Sequence, residues 1–210
     1  MSPGLFGRSC TVLLLCVLTS ARVVNAASGP VIGAFADADG TDCNIQHMTP
    51  GVGMFYVFCD LAGEAADGIQ AVEFAITGLP ADWIANVISS PASNMMFWNP
   101  VQGGSTVVFP ECQTGDGGRV FVCTVVYYMP RRPILNGVLS VTKNKHRIDP
   151  SYQCPLVKVC RDLPAELRVC AASVDAAFNG LGCPVGVDQT TWSSWKALFD
   201  PERPILTKHE

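Results

Sequence analysis

Charge is scarce in this chain: Lys, Arg, Asp and Glu make up 15% of its 210 residues, and the net charge is −4. A sparse and slightly acidic surface has no general attraction for nucleic acid or anionic lipid. Imidazoles are fewer still. His47, His146 and His209 lie far apart, without H-E-x-x-H or comparable spacing, so the sequence presents no zinc site. There is no G-x-S-x-G elbow, no Walker glycine loop and no G-x-G-x-x-G after a strand, and the cysteines include no C-x-x-C pair or haem-attachment signature. Past the N-terminus, no segment approaches the roughly 20 apolar residues that a membrane-spanning helix requires. No cofactor is called for by any motif.

What is present begins with an export signal. Arg8 precedes an apolar run from Cys10 to Leu18, and Val24-Asn25-Ala26 supplies small residues for cleavage before Ala27. Residues 1–26 therefore read as a signal peptide, which places the mature chain outside the cytosol, secreted or periplasmic. Cleavage removes Arg8 and Arg22 but no acid, taking the net charge from −4 to −6. It also removes Cys10 and Cys16 and leaves an even set: Cys43, Cys59, Cys112, Cys123, Cys154, Cys160, Cys170 and Cys183. In an oxidising compartment these are disulfide candidates.

Strand signals recur along the chain. Val52 to Leu61 is dense in β-branched and aromatic residues. Ala71 to Thr77 alternates, with Val72, Phe74 and Ile76 on one face and Glu73 and Thr77 on the polar face. Further apolar runs at Thr106–Phe109, Arg119–Met129 and Leu135–Val141 are each bounded by Gly or Pro. Short strands with turn punctuation predict a mainly β protein, an antiparallel β-sandwich over residues 27–149. If Gly117-Gly118 is a two-residue hairpin turn, Cys112 falls opposite Cys123, at a separation that a disulfide accepts. Pairings such as Cys43 with Cys112 and Cys59 with Cys123 compete, and eight cysteines allow 105 connectivities.

Residues 150–210 differ in character. Prolines at 150, 155 and 164 interrupt them and four cysteines fall close together, so they read as a cysteine-rich, disulfide-held tail. Arg168 to Gly180 fits either a helix, from the recurrence of Leu163, Leu167, Cys170, Val174 and Phe178, or a small hairpin around Val174-Asp175, which is preferred. Thr190 or Thr191 can cap a short C-terminal helix with Trp192, Trp195 and Phe199 near one face, ended by Asp200-Pro201.

Three stretches carry a resemblance: Ala71-Val72-Glu73-Phe74-Ala75-Ile76-Thr77-Gly78-Leu79-Pro80-Ala81-Asp82-Trp83, Phe109-Pro110-Glu111-Cys112-Gln113, and Thr191-Trp192-Ser193-Ser194-Trp195-Lys196-Ala197-Leu198-Phe199. Together they resemble a group of uncharacterised secreted bacterial β-sandwich proteins. The first part is also similar to cohesin-type sandwich modules, although no recognisable cohesin binding face is reproduced. The resemblance implies an exported sandwich and carries no activity with it.

Candidate chemistry is thin. Asp37, Asp39 and Asp42 around Gly40 depart from calcium-loop spacing and lack a Glu at the twelfth position, so a turn is the preferred reading. The basic run Lys143, Lys145, His146 and Arg147 reads as a solvated loop or strand end. No catalytic, metal or cofactor residue is assigned and the chain is not read as an enzyme. It reads as a non-catalytic exported structural or protein-interaction domain. The alternative is a carbohydrate-binding or adhesion module using exposed aromatics, with Phe97, Trp98, Trp192 and Trp195 as ligand candidates; either way the partner is a protein or a glycan. The export reading is checked by intact mass, which should show an exported chain starting at or near Ala27. Retention of Met1 in that form removes it.

Overall fold

The computed structural model describes residues 29–146, 151–161 and 167–183. The signal segment, Arg147, His209 and the C-terminal stretch with Trp192, Trp195 and Phe199 lie outside the described residues.

The apolar runs form strands. In chain order these are β1 (Val31–Phe35), β2 (Asn44–Ile45), β3 (Gly51–Asp60), β4 (Ile69–Thr77), β5 (Ile84–Ser89), β6 (Met95–Phe97), β7 (Ser105–Gln113), β8 (Arg119–Met129), β9 (Gly137–Thr142), β10 (Leu156–Val159), β11 (Arg168–Cys170), β12 (Ala172–Val174) and β13 (Ala176–Phe178). One sheet has the order β12-β1-β3-β8-β5; the other runs β11-β10-β4-β9-β13-β2, with β7 on β4 and β6 on β7. The ladders are antiparallel except for β12 on β1 and β13 on β2, so the sandwich is mixed rather than purely antiparallel.

The inner faces carry the core. Phe55, Val57 and Cys59 of β3 and Val120, Val125 and Tyr127 of β8 meet Val72, Phe74 and Ile76 of β4. Full burial of each such apolar side chain contributes about 1.5–3 kcal/mol. Tyr127 lies between two small cross-strand partners, Gly53 and Ala85. Trp83 stacks on its ring at a centroid distance of 5.2 Å. Its hydroxyl is 3.0 Å from His47 Nδ1, and burial pushes its pKa up. One expectation for β4 changes here. Glu73 and Ala75, on the face opposite Val72 and Phe74, are buried as well: side chains of β6, β10 and β11 surround Glu73, and the turn Pro100–Gln102 packs on β4.

The turn at Gly117-Gly118 forms as expected, but the hairpin does not continue. Both glycines have positive φ, 58° and 78°, and Asp116 bridges Arg119 across them. Beyond that single bridge β7 joins β4 and β6 while β8 joins β3 and β5, so the connection arches between the sheets. Cys112 is thereby carried away from Cys123 and bonds to Cys160 instead. The other bridges are Cys43–Cys183 and Cys154–Cys170. The Cα–Cα distances of Cys43–Cys183, Cys112–Cys160 and Cys154–Cys170 are 5.3, 5.8 and 5.6 Å, ordinary for disulfides.

Cys59 and Cys123 remain as buried thiols. They lie on the adjacent strands β3 and β8. Val57 is opposite Cys123 and Cys59 is opposite Val120, with Val122 as an extra residue between the two pairs. The two cysteines are therefore diagonal neighbours, a relationship that sets strand positions about 7–8 Å apart, beyond disulfide reach. Burial pushes both thiol pKa values up, so neither presents a reactive thiolate.

Arg168 to Gly180 is neither the helix nor the hairpin. Its three short strands diverge: β11 pairs with β10, β12 with β1 in the first sheet, and β13 with β9 and β2 in the second. Asp175 is where the chain crosses between sheets, which prevents β12 and β13 from facing each other. The described residues beyond 150 are thus held by strand pairing as well as by disulfides. Thiol labelling without reductant should find no accessible cysteine in the native mature protein and two per chain, Cys59 and Cys123, after denaturation. Absence of label after denaturation would mean that these two are bridged.

Candidate functional site

The acidic loop spends its carboxylate on itself. Asp37 Oδ1 accepts from the backbone N–H groups of Thr41 (2.7 Å) and Asp42 (3.0 Å), and its other oxygen accepts from the Thr41 hydroxyl. Partial burial pushes the Asp37 carboxyl up, but these hydrogen bonds prevail and hold it below its ordinary value. Arg119 completes the turn from the strand side. It pairs with Asp60 at 2.5 Å, donates to the carbonyls of Asp39 and Gly40, and lies over the rings of Phe35 and Phe58. Among the described residues no group of three metal-binding side chains gathers, here or elsewhere.

A second set of side chains converges on the outer face of the larger sheet. The strand register builds it. Glu73 of β4 lies opposite Thr106 on β7 and Leu156 on β10; Thr106 in turn faces Phe97 on β6. One step along, Ala71 lies opposite Val108 and Lys158, and Lys158 faces Arg168 on β11. Directly opposed residues share a face, so two rows cross five strands and line a groove of about 470 Å³.

Glu73 lies within this groove and is 7% exposed. Oε1 accepts from Arg168 Nη1 at 3.3 Å, whereas Oε2 is buried without a hydrogen-bond partner. A buried acceptor left unsatisfied costs about 1–3 kcal/mol, more when charged. A ligand donor that reached Oε2 would recover that cost.

Trp98 forms part of the groove wall. It is 57% exposed and its φ of 63° is left-handed, an unusual conformation for an aromatic residue that costs on the order of 1–3 kcal/mol. The turn that follows holds it there: Asn99 Oδ1 accepts from Val101 N–H at 3.0 Å, and Asn99 Nδ2 donates to the Ala85 carbonyl at 3.3 Å. His146 lies against the indole, with centroids 5.4 Å apart and planes 31° apart. Its own backbone N–H donates to Asn144 Oδ1 at 2.8 Å. Lys145 and His146 are exposed, as a solvated loop or strand end would be, and His146 also borders the groove.

Trp98 is thus an exposed aromatic, as the carbohydrate alternative expects. Phe97, 43% exposed, is tilted 47° to Trp98, so the two do not form one flat platform. Trp192 and Trp195 lie outside the described residues. Sequence reasoning missed Arg168, Lys158 and Thr106 as groove residues and noted Glu73 only as a polar strand position. Their juxtaposition depends on the register of strands separated by up to 95 residues, for which the sequence carried no signal.

If Trp98 is held in its conformation for recognition and not for stability, Trp98→Gly should leave the unfolding free energy in urea unchanged or raise it by up to about 1 kcal/mol, because glycine relieves the left-handed φ. A loss above about 2 kcal/mol would make the ring a structural prop.

No protein-family model matches the chain, and no curated protein does. Solved structures match it at low identity. The sixth cohesin from scaffoldin B of Acetivibrio cellulolyticus, solved in complex with a Cel5 dockerin mutant, is 11% identical, with 72% of this chain and 98% of that one covered and a TM-score of 0.45. The seventh ScaB type I cohesin from Pseudobacteroides cellulosolvens is 9% identical over 77% and 97% of the two chains, with a TM-score of 0.47. A cohesin module from a Clostridium perfringens family 33 glycoside hydrolase is 13% identical over 70% and 98%, with a TM-score of 0.44. These matches agree with the similarity of the first part to cohesin-type modules. At such identities and TM-scores they carry no argument about what this chain binds.

Proposed function

We propose that the chain is a non-catalytic extracytoplasmic recognition module, and that the groove over β4, β7 and β10 is its contact surface for a partner protein. Three disulfides suit an oxidising compartment. The observation that carries the reading is Glu73 Oε2, a buried acceptor without a partner beside the exposed indole of Trp98. Such a pair selects a ligand that brings a hydrogen-bond donor and an apolar surface together. A lysine, serine or arginine side chain next to an aliphatic or aromatic one in a partner's loop meets that demand, and the apolar floor of Ala71, Val108 and Leu156 favours it. Glu73 is the single carboxylate among the described residues lining the groove, whereas glycoside hydrolysis ordinarily uses a pair.

A second reading follows from the same indole. A sugar ring can lay its C–H face on Trp98 while a hydroxyl donates to Glu73, which makes the module carbohydrate-binding. The two are separated by presenting the mature protein to a glycan array and, in parallel, using it as bait for exported proteins of its own cell. Whichever partner is captured, Trp98→Ala and Glu73→Gln should each weaken it roughly tenfold or more, the scale of a lost charge-assisted hydrogen bond or stacked ring. A glycan partner sensitive to both substitutions moves the second reading to first place. Capture indifferent to both removes the groove from the function.

A further inference from the structure

β5 ends the smaller sheet, where among the described residues it pairs with β8 alone. Its sequence, Ile84-Ala85-Asn86-Val87-Ile88-Ser89, has no charge and no proline, and its pairs with β8 run without a bulge. Charged residues, proline and bulges are common means by which an edge strand is kept from pairing with another chain. An uncharged segment of this length that lacks all three is a template for strand addition.

Which main-chain groups face outward follows from the register. Ser90 N–H donates to the Val122 carbonyl at 3.0 Å, and the direction of hydrogen bonding alternates along a strand. Ile84, Asn86 and Ile88 therefore turn their N–H and C=O groups toward β8, and Ala85, Val87 and Ser89 turn theirs toward the edge. At the middle of that edge, side-chain amides hold two of the outward groups. Val87 N–H donates to Asn86 Oδ1 at 2.9 Å, and the Ala85 carbonyl accepts from Asn99 Nδ2 at 3.3 Å. In an antiparallel ladder the carbonyl before a residue and the N–H after it bond to the same stretch of the neighbouring strand. The two amides thus occupy the pair of groups around Asn86 that an incoming strand needs. Asn99 reaches β5 from the connection between β6 and β7, where its Oδ1 also accepts from Val101 N–H.

We propose that Asn86 and Asn99 keep β5 closed to strand addition, and that the strand they exclude is β5 of a second copy of this chain. An antiparallel pairing of β5 with itself opposes no like charges and gives both copies the same contact, as a two-fold dimer requires. This inference does not rest on the groove's role in binding. It is tested on the full mature chain with Asn86→Ala/Asn99→Asp, which removes both amide contacts and leaves an oxygen at position 99 to accept from Val101 N–H. Sedimentation over a concentration series should show the variant associating with itself at least tenfold more tightly than the parent. Amide hydrogen exchange at Ala85, Val87 and Ser89 should slow as the variant's concentration rises. Ser89→Pro added to the pair should return association to the parent's level, because proline has no N–H to offer at the edge and its loss there costs β5 no bond to β8. Association in the double variant equal to the parent's overturns the proposal. So does association without protection at these three amides, or association that Ser89→Pro leaves in place, as unfolding would cause.

Discussion

Closure of both sheets by the last strands is the constraint on which the rest of this structure depends. β10 to β13 have only four, three, three and three residues, too few for their ladders to stand alone in water. Yet β10 flanks β4, β12 flanks β1 and β13 fills the gap between β9 and β2. Three disulfides offset that weakness. Cys112–Cys160 holds the chain leaving β10 against β7, Cys154–Cys170 clips β10 to β11, and Cys43–Cys183 ties the region beyond β13 to that before β2. The bridge spanning 140 residues removes the most freedom from the unfolded chain, on the order of 5 kcal/mol in the chain-entropy view, an upper figure when several bridges coexist.

The same closure makes the groove. Without β10 and β11 beside β4, Glu73 would stand on an open sheet face beside water. With them, it is walled by Leu156 and reached by Arg168, and one carboxylate oxygen is buried without a donor. The opposite sheet has no equivalent wall among the described residues, and its outer face shows Val52, Ile84 and Ile88 instead. One sandwich therefore presents two unlike outer surfaces, a polar-lined groove with an aromatic edge and a flat apolar sheet. The groove follows from what lies beside β4, and the flat face from the apolar residues that β3, β5 and β8 carry on their outer side.

Much of the fold was legible because strand formation is a local property. Val52–Leu61, Ala71–Thr77 and Arg119–Met129 announce β3, β4 and β8 by alternation and β-branching, and the glycines at 117 and 118 announce a tight turn through the positive φ that only they adopt cheaply. Pairing is not local. Cys112 and Cys123 flank a genuine two-residue turn, yet the chain bends between sheets after one bridge, because the apolar faces of β7 and β8 are buried in different sheets. Cys59 and Cys123, 64 residues apart, reach adjacent strands, where an extra residue at Val122 shifts their register. The groove rests on the same kind of fact. The alternation of β4 already put Glu73 on the face away from Val72 and Phe74, and Trp98 stood out as an aromatic, but that they border one groove with Arg168 was decided by cross-strand register, which is set by long-range burial and carries no mark in the local sequence.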